Sequence, residues 1–130
     1  MNKRDLLADL KFCDRATQGP WRHEWNPDCS EVYAPGVDKP IILVGHDPYD
    51  ADFVVQAREG WPHAIERAIK AEALARELMY ALKQYEKWEN ALISGAFESN
   101  EAAGEAYETP RKIRIETLAK ARRLLGDMDA

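Results

Sequence analysis

Cys13, His23, Cys29 and His46 are the residue types that bind zinc, as two thiolates and two imidazoles. Structural zinc sites bring such ligands in close pairs, whereas here nine, five and sixteen residues intervene, so no metal site is expected. Gly45-His46-Asp47 sets an imidazole next to a carboxylate, the pair that activates a nucleophile, but no Ser or Cys stands in an activating context. Asp47 reads more simply as a helix cap. Glu86, Glu89, Glu98, Glu101, Glu105 and Glu108 form several E-x-x-E pairs, and carboxylates three residues apart on a helix can hold magnesium for phosphate chemistry. Such a site needs more carboxylates from a facing helix, and the C-terminal helix offers only Glu116 among cations. Solvated helix faces explain this spacing better.

Three further groups bear on binding rather than catalysis. Trp21, His23 and Trp25 alternate with Arg22, Glu24 and Asn26, so they share one face of a strand, as an aromatic binding patch or as a face packed under helices. Arg111, Lys112, Arg114, Lys120, Arg122 and Arg123 make the last helix basic. At 100° per residue these charges scatter around the helix, so no phosphate-tracking stripe results and ion pairs with the preceding acidic stretch are the expected use. Phosphate loops and dinucleotide fingerprints are absent. No catalytic residue and no cofactor is expected.

The elements that position these residues follow from periodicity and punctuation. Leu6, Leu7, Leu10 and Cys13 recur at helical spacing over residues 3–14, and Gln18-Gly19-Pro20 stops that helix. Strands are predicted at 21–26, 31–34 and 41–45, separated by Asn26-Pro27-Asp28 and a Pro35-Gly36 turn; connections this short give an antiparallel meander. Asp47-Pro48 starts a helix predicted to run to Arg58 and end at Gly60, and Trp61-Pro62 opens a longer one reaching Ile93. After Ser94-Gly95 a third helical region is predicted to restart at Thr109-Pro110 and continue to Leu125. The fold class is α+β: a small antiparallel sheet of about three strands with short helices, residues 1–60, joined to a long helical hairpin for assembly, residues 61–130, the two parts expected to form one compact folding unit.

Composition says how such a chain holds together. Of 130 residues 45% are hydrophobic, but 19 of those are Ala, and Leu, Ile, Val and Phe number only 26. That is the floor for a globular core, roughly 20%. Ala71, Leu74, Leu78, Ala81, Tyr85, Trp88 and Leu92 form a heptad-like seam, and Ala75, Met79, Leu82 and Ile93 a second stripe next to it. The C-terminal helix can answer with Ile113, Leu118, Ala121 and Leu125, and a second copy of the chain can complete the bundle. A homo-oligomer is expected, with Leu74, Leu78, Tyr85, Trp88 and Leu92 at its interface.

Eighteen basic against 23 acidic side chains give a net charge of -5, which disfavours nucleic acid and anionic membrane at long range. The longest aliphatic run is Ile41–Val44, far short of the roughly 20 residues of a membrane span. A cytoplasmic protein with two free thiols is expected.

Two blocks resemble a known group. Ala16-Thr17-Gln18-Gly19-Pro20-Trp21, followed by Asp50-Ala51-Asp52-Phe53-Val54-Val55-Gln56-Ala57-Arg58 and then Pro62, is similar to the A-T-x-G-P-W and D-A-x-F-[IV]-x-x-A-R blocks of small bacteriophage- and prophage-encoded proteins of unknown activity. The resemblance spans about residues 3–80. It implies a phage or mobile-element origin and carries no functional residue with it. The leading expectation is thus an accessory protein acting through protein contacts, with an unidentified host or phage partner. A metal-dependent nucleotide pyrophosphatase-like hydrolase using the glutamates, and a weak nucleic-acid binder using the basic helix, are the alternatives.

Overall fold

The structure, a computed structural model, describes residues 4–129. Six elements follow in order: α1 (Leu6–Arg15), β1 (Arg22–Trp25), β2 (Ser30–Tyr33), β3 (Ile42–Val44), α2 (Pro48–Ile93) and α3 (Asn100–Asp129). Two compact units divide the chain, Met1–Ile69 and Lys70–Ala130, with the boundary inside α2.

In the first unit Asp5 caps α1, its Oδ1 accepting from the backbone N–H of Leu7 and Ala8, both at 3.1 Å. The Arg4 guanidinium bonds Asp9 and holds its carboxyl below the usual range. Leu6, Leu10 and Cys13 form the inner stripe of α1, while Leu7 is 62% exposed, contrary to its predicted place on that face. Lys3, at the predicted start, lies outside the described residues. The three strands form the expected antiparallel meander in the order β1-β2-β3. Asn26 shapes the first turn, its Oδ1 accepting from the N–H of Asp28 and Cys29 at 2.9 Å. Pro35-Gly36 makes the second, with Gly36 at φ 71° and the Val37 N–H reaching the Ala34 carbonyl at 3.4 Å. Register places His23 opposite Val32 and Trp25 opposite Ser30, so these four share the inner face, where Val32 and Ser30 are fully buried. Asp47 caps α2 as predicted, accepting from the Tyr49 N–H at 2.9 Å.

The helices are longer than punctuation predicts. Helix α2 passes Gly60-Trp61-Pro62 without a break, and α3 passes Thr109-Pro110 in the same way. Proline's φ near −65° is helical; its drawbacks are one missing donor and a ring pressed on the preceding turn. Both rings gain packing in return, Pro62 being half-buried and Pro110 buried. Where α2 does stop, Gly95 takes φ 70° and the Ala96 N–H bonds the Ala91 carbonyl at 2.9 Å, a Schellman ending. Ser99 then caps α3, its Oγ accepting from the Ala102 N–H at 3.0 Å.

In the second unit the end of α2 and the length of α3 form an antiparallel hairpin. Trp88 donates from Nε1 to the Ala103 carbonyl at 2.9 Å, and its ring meets that of Tyr107 at 4.7 Å, with Tyr85 completing the cluster. Farther along, Lys120 pairs with Glu77 at 2.8 Å, and Leu74 lines a cleft with Leu124. The inward residues of α3 are Ala103, Tyr107, Pro110, Ile113, Thr117, Ala121 and Leu124. Leu118 and Leu125, predicted to face α2, are 42% and 57% exposed. Because α3 continues through Pro110, its inner stripe is fixed by Ala103 and Tyr107 upstream, and that phase turns Leu118 and Leu125 outward.

Replacing Pro62 by Ala restores a helical N–H without removing a large side chain. Pro62→Ala is expected to raise stability by about 1–3 kcal/mol, read as a higher urea midpoint at unchanged slope.

Candidate functional site

The two sequence blocks meet in space. Ala16 and Trp21 from the first, and Phe53, Val54, Ala57 and Arg58 from the second, line an apolar groove of about 230 Å³ in the first unit, completed by Phe12, Cys13 and Trp61. One backbone acceptor joins them: the Thr17 carbonyl takes the Trp21 Nε1–H at 3.0 Å and the Arg58 Nε–H at 2.9 Å. The Arg58 guanidinium also lies over the Trp21 ring, 5.8 Å from its centroid. Gly19 permits the close approach, since a β-carbon there would press on the Glu59 carboxylate and come within 3.2 Å of Arg58 Cγ. Helical spacing marks Phe53 as buried, yet it is 64% exposed; with Phe12 at 73% and Trp61 at 56% it forms the rim of the groove. Phe12 and Trp61 are missed by sequence reasoning because each looks like an ordinary core residue next to a helix end.

The strand triplet divides. Trp21 belongs to the groove wall, His23 is half-buried with Nε2 3.9 Å from Asp52 Oδ1, and Trp25 is 64% exposed. The three therefore sit in different settings, one in the groove, one half-buried and one exposed. His23 Nδ1 and Ser30 Oγ are buried without hydrogen-bond partners among the described residues, and Asp52 stands near His23. This is no nucleophilic triad: Ser30 is fully buried, does not bond His23, and cannot meet a substrate. On the opposite sheet face Tyr33 donates to Glu31 at 2.7 Å, which raises the phenol's pKa, and Arg22 stacks on the Tyr33 ring and pairs with Glu24.

Of the seam Leu74, Leu78, Tyr85, Trp88 and Leu92, Tyr85 and Trp88 are engaged with Tyr107 of α3 in the same chain, Leu74 lines a cleft with Leu124, and Leu78 is half-buried. Leu92, near the end, stays 43% exposed. The second stripe, Met79, Leu82 and Ile93, is uncovered at 57%, 68% and 78%.

Among the described residues no three His, Cys, Asp or Glu side chains are grouped to hold a metal ion. Cys13 is buried in the groove floor, Cys29 is half-buried, and His46 is exposed. Of the glutamates, Glu86, Glu89, Glu98, Glu101 and Glu105 are exposed, and Glu108 pairs with Arg111 at 3.3 Å. Lys120 is held by Glu77, so two of the six C-terminal cations are in ion pairs with other described residues. No described helix is long and apolar enough to cross a membrane. Compared with family models, curated proteins and solved structures, the chain matches none.

Two outcomes are expected. Trp21→Phe keeps the ring but deletes the Nε1–H donor, and should lower unfolding free energy by about 1 kcal/mol in urea titrations. Incubation with nucleoside triphosphates and magnesium or manganese should release neither phosphate nor pyrophosphate; turnover lost in Glu86→Gln or Glu89→Gln would establish the hydrolase instead.

Proposed function

We propose that the protein is a non-catalytic accessory protein that works in the cytoplasm by binding other protein chains, copies of itself included. The observation that carries this reading is the apolar groove of the first unit, with Phe12, Phe53 and Trp61 held out at its rim. Aromatic side chains around an apolar concavity are the anchors on which protein interfaces concentrate their energy. Arg58 defines the partner's chemistry: its Nε is engaged by Thr17, while its terminal nitrogens have no carboxylate among the described residues. A partner helix with apolar side chains and a neighbouring carboxylate suits that arrangement. Resemblance of the two groove-lining blocks to phage- and prophage-encoded proteins supports an origin in a mobile element.

The test is photo-crosslinking in the source cells. A benzophenone side chain at position 12 or 53 is expected to give a defined adduct with a second protein, abolished by Trp61→Ser, while the same group at the exposed position 39, outside the groove lining, gives none. Identical adduct patterns from all three positions would remove the groove as a docking site.

A further inference from the structure

We infer that the side of the hairpin bearing Met79, Leu82, Leu118 and Leu125 seats a second copy of this chain, α2 of each copy lying over α3 of the other. The inference rests on the self-association in the preceding reading and supplies its surface and orientation. Taking Ala81 and Thr117 as inward, Met79 and Leu82 are turned about 160° and 100° from Ala81, and Leu118 and Leu125 about 100° and 80° from Thr117, in the same rotational sense. Since the helices are antiparallel, equal senses lead to the same side of the hairpin. The Glu77–Lys120 pair sets the register, which brings Met79 abreast of Leu118. All four side chains are exposed, from 42% to 68%. The opposite side carries Arg76, Glu77, Glu116 and Lys120 around a cleft that Tyr80 and Ile113 also line.

Area and thinness both call for a covering. Ala81 and Ala103 are the buried hydrophobic side chains of the second unit, with Pro110 and Thr117. The chain exposes 10130 Å². Two wholly separate globular units, each half of its 14.8 kDa, would expose only about 8,400 Å² together. The excess of about 1,700 Å² is ample for the roughly 800 Å² that each partner contributes to a standard interface.

Charge identifies the occupant as a second copy and fixes its orientation. On this side α2 presents Glu86 and Glu89, and α3 presents Arg111, Arg114 and Arg122; Arg111 also pairs with Glu108. A face with carboxylates on one helix and guanidinium groups on the other is complementary to itself. A two-fold axis parallel to the helices lays α2 on the second copy's α3, setting Glu86 opposite Arg111 around a centre of Leu82 and Leu118, with Met79 at its outer edge. An axis across the helices would stack α2 on α2 and α3 on α3, with Arg114 of one copy against Arg122 of the other. Like charges disfavour that arrangement.

Sedimentation equilibrium on the full chain tests this. The wild type is expected to dimerise at tens of micromolar, and Leu82→Asp to weaken dimerisation by about thirtyfold. Circular dichroism should be unchanged, because Leu82 is exposed. Glu86→Arg and Arg111→Glu should each weaken the homodimer by about fivefold. An equimolar mixture of the two should recover it, since both contacts then join opposite charges. A dimer indifferent to Leu82→Asp overturns this surface and leaves self-association standing. Sensitivity to Leu82→Asp without recovery in the mixture overturns the orientation. A wild type that stays monomeric overturns the inference together with the self-association it rests on.

Discussion

Scarcity of large apolar side chains is the constraint from which the rest of this architecture follows. With 26 Leu, Ile, Val and Phe residues to serve two compact units, neither can be built around a thick core. Small residues take the innermost places instead: Ala51 and Ala34 in the first unit, Ala81 and Ala103 in the second. Alanine lets backbones approach closely but removes little apolar area from water, roughly 25 cal/mol per Å² of what it covers. Polar contacts of defined geometry then hold what packing alone would leave loose. The Thr17 carbonyl with its two donors does this in the first unit, and the Trp88 indole on the Ala103 carbonyl does so in the second.

Much of the fold is legible in the chain because local rules and tertiary packing agree there. Asn26 and Pro35-Gly36 dictate their turns through side-chain acceptors and a positive φ, and Asp47-Pro48 dictates a helix start. The meander follows from how short those connections are. Gly60, Pro62 and Pro110 mislead because punctuation carries a few kcal/mol at most, and a helix continued on either side of it outweighs that cost. Helix phase across Pro110 then decides which leucines face inward, so one misplaced break exchanges Leu118 for Thr117 and Leu125 for Leu124.

The groove was only half legible. Its two blocks stand out as motifs, but they are about thirty residues apart, and nothing local says that Thr17 will accept a bond from Arg58. Sequence periodicity also cannot tell a buried aromatic from one held at a rim. Phe53 has the spacing of a core residue and the exposure of a contact residue, standing at the edge of the groove that α1 and α2 line together. In the hairpin the same ambiguity separates the seam, whose Tyr85 and Trp88 meet α3 of their own chain, from the neighbouring stripe, whose Met79, Leu82 and Ile93 stay mostly exposed.

The aromatic cluster has an optical consequence. Of the four tryptophans, Trp21, Trp25 and Trp61 belong to the first unit, and Trp88 alone belongs to the second. Trp88 has Tyr85 and Tyr107 within 5.8 Å, close enough for both phenols to pass their excitation to the indole. Red-edge excitation samples the four indoles, three of them in the first unit, while excitation through tyrosine adds to Trp88 a contribution that depends on its two neighbouring phenols staying in place. Loss of that added emission reports the opening of the hairpin without any added label.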